Sequence, residues 1–314
     1  MVERKTVLNS YEAREGILSM RELERLKFPT LKWLIPGILP MEGVAMVVGS
    51  PKSGKSYFTM GVAVDAAERE GADRVNTLYL DLESSHRRIQ SRMRDIIGDK
   101  RRFPPNIDVQ ISWPTLDHGG LGRLHDYLST HNVQVVVVDT WGRIKSTVSP
   151  ANLSAYDKDV GHIRIWGELA LKHGVLVILV HHDNKSATED DWIQAASGTF
   201  GIVGSCDTLL YLRRQLNSTV GRLYVCGRDV DNNVYDMRFV DGRWSNYGPA
   251  NTGMSNERRE VLELLCGVEQ PISPLDISKA LKKSHGGIRR LVANMEKDGQ
   301  VVRVGKGQYV DRLK

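Results

Sequence analysis

Residues 43–57 read GVAMVVGSPKSGKSY and place Gly49, Gly54, Lys55 and Ser56 in a G-x4-G-K-S frame. This frame suits a triphosphate, because successive backbone N–H groups of a glycine-rich turn converge on the β- and γ-phosphates. Lys55 adds a positive charge, and the Ser56 hydroxyl can ligate Mg²⁺. The stretch therefore predicts a site for ATP and Mg²⁺. We expect the following residues to contact the nucleotide: Gly49, Ser50, Pro51, Lys52, Ser53, Gly54, Lys55, Ser56 and Tyr57.

The flanks of this stretch carry the pattern of a strand followed by a helix. Val44–Val48 is a continuous apolar run, which is typical of a parallel strand buried on both faces. Residues 55–68 then space apolar side chains as a helix does, with its N-terminus facing the phosphates. An ordinary flexible loop would not need this strand-loop-helix context.

The composition predicts a soluble globular protein with one large and one small domain. Of 314 residues, 41% are hydrophobic and 26% are charged, and the formal net charge of +5 excludes a polycation. No run of eighteen apolar residues exists and the N-terminus has no apolar signal core, so we expect neither a membrane span nor secretion. Cys206, Cys226 and Cys266 are odd in number and widely spaced, which favours a reducing, cytoplasmic location over disulfides or zinc.

Strand and helix patterns alternate along the chain, which indicates an α/β sheet with parallel crossovers. Strands are predicted at 77–83, 109–112, 133–139, 175–180 and 208–212, and helices at 84–97, 121–131 and 157–173. Residues 222–226 and 233–240 resemble an antiparallel pair joined by an Asp-rich turn. The predicted fold class is therefore α/β, with a mostly parallel sheet.

Changes in composition divide the chain into four segments. We expect an N-terminal arm at 1–29, with a short helix near 19–26, a core at 30–245, a linker at 246–256 and a small domain at 257–314. The last segment predicts three helices and a hairpin, which is the winged-helix plan. Residues 255–314 hold twelve Lys and Arg against eight Asp and Glu, a surplus of four positive charges.

A phosphate loop needs a carboxylate for the Mg²⁺ shell and a base that orients the attacking water. Asp139 follows the buried run VVVVD and suits the first role, although a strand-capping Asp would look the same. Thr140 and Trp141 come next, so no acid follows Asp139, which argues against the AAA+ arrangement of the base. Glu83 is the remaining candidate for the base, although it could also be a surface acid at a helix start.

Five motifs in this order resemble the RecA-like hexameric ATPases, and most of all the RepA-type replicative helicases of plasmids and related phage proteins. They are GSPKSGKS, YLDLE, VVVVDT, VHHDNK and the GRD at 227–229, and the resemblance covers residues 30–242. It implies a RecA-like P-loop core, in which Glu83 activates water and Asp139 helps to bind Mg²⁺. It also implies that His182 senses the γ-phosphate, with Lys185 alongside, and that Arg228 acts on the neighbouring subunit's nucleotide.

Simple geometry supports some of the residue roles that the resemblance implies. His181 and His182 should point to opposite sides of an extended chain, so one is buried against the sheet while the other can reach a phosphate. A satisfied structural histidine is the alternative for both. A planar cation such as Arg228 on a hairpin suits a transition-state contact across an interface, but Arg213 and Arg214 compete for that role.

Two surfaces could contact DNA. The resemblance to RecA-like rings implies that the loops at 143–155 and 183–196 face the central channel and bind single-stranded DNA, although the second loop also carries acids. The winged-helix segment could bind duplex DNA, or it could dock a protein. The candidate residues on the two surfaces are Arg143, Lys145, Lys185, Lys283, Arg289, Arg290, Arg303 and Lys306.

These observations predict an ATP-dependent DNA translocase or helicase that acts in replication or recombination as a homo-oligomeric, hexameric ring. Replication proteins are candidate partners, and no membrane is involved. The alternative is an ATP-regulated DNA-binding regulator or loader that does not unwind DNA. A small-molecule nucleotide kinase is a third interpretation, which lacks an evident lid and leaves the winged helix unexplained.

Overall fold

The computed structural model describes residues 17–146, 154–183, 192, 204–216, 218–250, 255–268, 270–305 and 307–311. The chain forms two compact units, Met1–Lys32 and Trp33–Lys314. In the first unit, helix α1 (Met20–Arg25) begins with a capping box, in which Ser19 and Glu22 satisfy each other's backbone N–H groups. This confirms the short helix predicted near residues 19–26.

The second unit is built on a nine-stranded sheet in the order β11-β10-β9-β8-β3-β7-β6-β4-β5. The strands are β3 (Gly43–Gly49), β4 (Thr77–Asp81), β5 (Ile107–Gln110), β6 (Val135–Asp139), β7 (Leu176–His182), β8 (Thr208–Arg214), β9 (Val220–Gly227), β10 (Asn233–Val240) and β11 (Arg243–Pro249). Six neighbouring strands are parallel, in the order β8, β3, β7, β6, β4 and β5. The pairs β8–β9, β9–β10 and β10–β11 are antiparallel. Trp33–Ile35 (β1) and Leu39–Pro40 (β2) form a separate small pair. The predicted α/β class with a mostly parallel sheet is confirmed.

Helices cover both faces of this sheet, and each face has its own apolar core. Helices α2 (Lys55–Ala67) and α3 (His86–Ile97) pack with one core cluster, and α4 (Gly120–Thr130) and α5 (Ala155–His173) with the other. Neighbouring residues of β3 join different clusters because their side chains alternate between the two faces. This explains why the strand is a continuous apolar run.

The parallel strands bring their carboxyl ends to one edge of the sheet. The residues Gly49, Asp81, Asp139 and His182 each end a strand there. Strand β7 is longer than predicted and includes both histidines of the HH pair. The edge therefore gathers chemical groups that are far apart in sequence, at the place where open α/β sheets bind ligands.

The antiparallel half of the sheet contains one strand that the sequence did not predict. The β9–β10 pair is confirmed, but β11 follows it and pairs with β10 from Tyr235↔Pro249 to Val240↔Arg243. Its polar sequence RWSNYGP has no clear alternation of apolar residues. The sheet thus extends into the first residues of the segment expected as a linker, and the domain boundaries stay a prediction.

The C-terminal segment has the predicted three helices and a hairpin. They are α6 (Asn256–Gly267), α7 (Pro274–Ala280), α8 (His285–Lys297), β12 (Val301–Arg303) and β13 (Tyr309–Asp311). These elements share an apolar core, which Val220 of the large sheet also joins. Among the described residues, no helix has both the length and the apolar character needed to cross a membrane.

Candidate active site

The phosphate loop connects the end of β3 to the start of α2. Two of its residues have a left-handed backbone, Lys52 with φ 65° and Gly54 with φ 98°. A side chain at Gly49 would place its Cβ 2.3 Å from the carbonyl oxygen of Leu212. The first glycine of the frame is therefore required by a close backbone approach, and the second by its conformation.

Lys55 is the first residue of α2, and its side chain turns back into the loop. Its Nζ donates to the carbonyl oxygens of Gly49, at 2.5 Å, and Ser50, at 2.9 Å. Only 5% of the residue is exposed, and this burial lowers the pKa of the ammonium to about 8 against the opposing field of nearby carboxylates. The Lys55 charge is thus held inside the loop, where we expect the β- and γ-phosphates.

Asp139 ends β6 beside the start of α2, and it is 3% exposed. Burial raises the pKa of its carboxyl to about 6, while a hydrogen bond from Ser56 acts in the opposite direction. The Tyr79 hydroxyl also lies 3.3 Å from Asp139 Oδ2. A carboxylate paired with a hydroxyl at the phosphate loop fits the oxygen ligands that Mg²⁺ prefers.

Within the described ranges, no group of three or more His, Cys, Asp or Glu side chains could hold a metal ion. Ser56 and Asp139 stay the predicted Mg²⁺ ligands of the chain.

Glu83 lies two residues beyond the end of β4. Its Oε1 accepts a hydrogen bond of 3.0 Å from the Thr140 hydroxyl and lies 3.7 Å from the Nε of Arg143. Its Oε2 is 3.8 Å from the Nε2 of His182. Thr140, the residue after Asp139, therefore holds the carboxylate of the predicted base in place.

The two histidines at the end of β7 point in different directions, as predicted. His181 packs edge to face on the buried Trp141, at 5.4 Å between ring centroids, and burial lowers its pKa to about 4. His182 points into the site, where its Nδ1 lies 3.1 Å from Lys55 Nζ. The pKa of His182 is lowered by burial and then by the charge of Lys55.

Arg228 lies at the opposite end of the parallel strands, near the start of β3. It forms an ion pair of 3.0 Å with Asp207, whose Oδ2 accepts from the N–H of Val44 at the start of β3. The seven residues of β3 separate this place from the phosphate loop by ~20 Å. Arg228 is therefore too far from the phosphate loop of its own chain to act there. Its competitor Arg214 donates to the carbonyl oxygen of Lys52, at 3.2 Å.

The sequence patterns did not identify two further residues that contact the phosphate loop, Asp183 and Trp244. Asp183 accepts hydrogen bonds from the hydroxyls of Ser50, at 2.8 Å, and Tyr211, at 3.0 Å. Its position after the HH pair, at a strand end, was the available signal. Trp244 of β11 donates to the carbonyl oxygen of Gly54, at 3.1 Å, and no sequence pattern marks it.

Two of the residues that are predicted to contact the nucleotide have side chains that bind another residue or are buried. The Tyr57 hydroxyl donates to Asp95, at 2.6 Å, and the Tyr57 ring packs on Phe239. Ser53 is only 2% exposed. The direct nucleotide contacts of these two side chains stay predictions.

The predicted DNA-binding cations differ in their surroundings. Arg289, Arg290 and Arg303 are exposed, as is Arg143. Lys145 instead forms an ion pair with Asp159 at 2.9 Å and lies over the ring of Trp141, and Lys283 forms one with Glu260 at 2.6 Å. Lys185, Lys306 and most of the two predicted channel loops lie outside the described residues.

The sheet order, the phosphate loop and the paired Ser56 and Asp139 define a P-loop ATPase with a RecA-like core. The chain belongs to the AAA domain family, which it matches over residues 10–188. Membership of this family does not imply the AAA+ arrangement, in which an acidic base directly follows the Mg²⁺ aspartate. In this chain Thr140 and Trp141 follow Asp139.

Solved structures resemble the fold at low sequence identity. The ATPase domain of G40P is 14% identical, with a TM-score of 0.54, over 78% of this chain and 97% of that one. A KaiC-like protein from the hyperthermophilic archaeon Pyrococcus horikoshii is 16% identical, with a TM-score of 0.48, over 67% of this chain and 91% of that one. A search of curated proteins by sequence gave no match.

Proposed function

We propose that this protein is an ATP-dependent DNA translocase or helicase of the RepA type, which acts in replication or recombination. The observation that carries the proposal is the position of His182. It contacts Lys55 of the phosphate loop, approaches Glu83, and is the last residue of β7, directly before the predicted DNA-binding segment 183–196 in the sequence. Loss of the γ-phosphate would change the contacts of His182, and with them the start of a predicted DNA-binding loop.

Each group at the carboxyl edge then has a role in hydrolysis. Lys55 and the N-terminus of α2 bind the β- and γ-phosphates, and Ser56 and Asp139 hold Mg²⁺, which neutralises charge that develops on the phosphates. Glu83 orients the attacking water and accepts its proton. Thr140 keeps the Glu83 carboxylate in place through its hydrogen bond.

The position of Arg228 supports hydrolysis at subunit interfaces. Its side chain is 65% exposed, and Asp207 holds it at the edge of the sheet opposite the phosphate loop. A ring in which this edge of one subunit faces the phosphate loop of the next would complete every site with an arginine from a neighbour. We propose a hexameric ring, in which single-stranded DNA passes through the channel.

The C-terminal segment is proposed as a winged helix that contacts duplex DNA. Arg289 and Arg290 are exposed on α8, and Arg303 is exposed on the strand that begins the hairpin. Cations on a helix and on the adjacent wing match the usual contacts with a groove and the phosphate backbone. Docking of a replication partner is the alternative role of this surface.

The second candidate function is a DNA-binding regulator or loader without unwinding activity. It is favoured by the attachment of the C-terminal segment to the large sheet, where the fully buried Arg238 pairs with Asp311 and donates to the carbonyl oxygen of Leu262, at 2.6 Å. Such an attachment would let ATP control the presentation of a duplex-binding surface.

A mixture of two inactive variants tests whether neighbouring subunits share an active site. Lys55→Ala disables the phosphate loop and Arg228→Ala removes the arginine, so each variant alone should hydrolyse ATP poorly. A mixture of the two should regain activity, because some interfaces then combine an intact loop with an intact arginine. Arg164→Ala is the control, since Arg164 is an exposed arginine that is also paired with a carboxylate.

Mass measurements with an ATP analogue and single-stranded DNA, alongside ATPase assays, complete this test. The proposal expects activity that rises with protein concentration and with added single-stranded DNA. Full activity of Arg228→Ala, or activity in a monomer that does not depend on concentration, would contradict the ring. Tight duplex binding without stimulation by single-stranded DNA would favour the regulator.

A further inference from the structure

Two side chains, one from β8 and one from β11, hold the backbone of the phosphate loop. The indole N–H of Trp244, on β11, donates to the carbonyl oxygen of Gly54, at 3.1 Å. The Nη2 of Arg214, at the end of β8, donates to the carbonyl oxygen of Lys52, at 3.2 Å. These contacts come from 190 and 162 residues further along the chain.

Both contacts fall on residues with a left-handed backbone. Lys52 has φ 65° and Gly54 has φ 98°. For Lys52 this conformation costs free energy and persists only where the surroundings enforce it. The loop therefore needs external support at Lys52, where Arg214 supplies a hydrogen bond, and Trp244 supplies a second hydrogen bond at Gly54.

The Trp244 contact also helps to orient a backbone N–H group, together with the Phe58 N–H, which donates to the same Gly54 carbonyl at 2.9 Å. In a trans peptide the C=O and the next N–H point in opposite directions. Holding the Gly54 carbonyl from the β11 side therefore adds a second constraint on the direction of the Lys55 N–H, besides the helix bond from Phe58. This N–H belongs to the helix N-terminus that we expect to bind the phosphates.

The indole of Trp244 packs closely against the backbone of Gly54 and Gly221. A Cβ atom on Gly54 would lie 3.0 Å from the indole nitrogen, and a Cβ on Gly221 would lie 3.0 Å from the indole ring. The Arg214 guanidinium lies 4.4 Å from the ring centroid of Phe239 and 5.5 Å from that of Trp244. Stacking on aromatic faces limits the movement of the guanidinium and keeps its donors aimed at the loop.

We propose that Trp244 and Arg214 are positioning residues, which hold the phosphate loop in the conformation that binds the nucleotide. The inference rests on the ATP site of the proposed function and does not depend on DNA translocation. It assigns a role in ATP binding to β11, a strand that contributes no residue to the predicted phosphate contacts.

The test measures equilibrium binding of a fluorescent ATP analogue with Mg²⁺ to the full chain. Trp244→Phe keeps an aromatic ring but removes the N–H donor, and the loss of one hydrogen bond should raise the Kd about two- to tenfold. The midpoint of thermal unfolding should stay close to that of the wild type. Trp113→Phe is the matched control, because the Trp113 indole N–H likewise donates to a glycine at a helix start, Gly120, at 3.0 Å.

Arg214 provides an independent second test. Arg214→Met removes the donors and the charge, and it should raise the Kd by a similar factor. Arg214→Lys should restore part of the affinity, because lysine can still donate to the Lys52 carbonyl.

The outcomes separate this inference from the proposed function. An unchanged Kd in Trp244→Phe and Arg214→Met would overturn the inference, as would an equal loss in Trp113→Phe. A raised Kd in both site variants supports it, even if single-stranded DNA fails to stimulate the ATPase, a result that would count only against translocation.

Discussion

The Nδ1 atom of His182 lies 3.1 Å from the Nζ atom of Lys55 at the carboxyl edge of the sheet. Burial and the Lys55 charge both lower the pKa of His182, which favours the neutral imidazole, and its Nδ1 can then accept a hydrogen bond from the Lys55 ammonium. The proton of the neutral ring is then on Nε2, which faces Glu83 at 3.8 Å. His182 thus connects the phosphate loop to the predicted base.

Replacement of His182 should separate nucleotide binding from turnover. His182→Ala keeps the loop and its glycines, so the Kd for ATP should change less than about threefold. The kcat should fall about 10- to 100-fold, because the γ-phosphate and Glu83 lose a positioned partner. His118→Ala, at an exposed histidine beside Asp117, is the control for steady-state ATPase assays. Unchanged kcat in His182→Ala would remove His182 from the mechanism.

Glu83→Gln should bind ATP but hydrolyse it at least about 100-fold more slowly, because the amide cannot accept the proton of the attacking water. Single-turnover assays and analogue binding measure the two steps separately. Glu68→Gln is a matched control, since the Glu68 side chain is exposed to a similar extent and is also paired with an arginine. Wild-type turnover in Glu83→Gln would show that another group activates the water.

The raised pKa of Asp139 predicts how Mg²⁺ use depends on pH. Below about pH 6 the carboxyl is protonated and no longer attracts a divalent cation, whereas above that pH it is ionised. The Mg²⁺ concentration for half-maximal ATPase should therefore rise as the pH falls from 7.5 to 5.5. In Asp139→Asn the requirement should be high at both pH values. An equal Mg²⁺ requirement of the wild type at both pH values would contradict this role.

The lowered pKa of Lys55 predicts proton uptake on ATP binding. With a pKa of about 8, the side chain is partly neutral at pH 8.5, and a bound phosphate favours its charged form. Calorimetry in buffers of different ionisation enthalpy should detect proton uptake at pH 8.5 and less of it at pH 7. Lys55→Met should abolish the difference. Proton uptake that is the same at both pH values would contradict the assignment.

The buried pair of Arg238 and Asp311 predicts a large effect on stability. Arg238→Met leaves the Asp311 carboxylate buried with one partner fewer, which should lower the free energy of unfolding by about 3–5 kcal/mol in urea titrations. The double variant Arg238→Met with Asp311→Leu should recover much of this loss. Arg164→Met is the surface control. A loss below about 1 kcal/mol would show that the pair does not anchor the C-terminal segment.

Local patterns were sufficient to predict much of the fold and part of the site. The phosphate loop, Asp139 and the HH pair are short motifs attached to buried strands, and parallel strands bring such ends to one edge. The prediction that His181 and His182 diverge required only the alternation of side chains along a strand. Glu83 could be proposed because no acid follows Asp139.

The rest depends on contacts between distant parts of the chain. Trp244 reaches the loop because the antiparallel strands fold back beside it, and Arg214 reaches it because β8 pairs with β3. No local pattern indicates either contact. Likewise, charge alone could not reveal that Lys145 and Lys283 are paired with carboxylates within the protein. Strand β11 was missed because its residues are mostly polar and partly exposed.

Strand displacement from a labelled DNA fork tests the central proposal most directly. The protein should release the labelled strand with ATP and Mg²⁺, and Glu83→Gln should release none although it still binds ATP and DNA. Displacement that follows ATP hydrolysis in the wild type would support a translocase. Active ATP hydrolysis with tight DNA binding but no displacement and no movement along a single strand would contradict it.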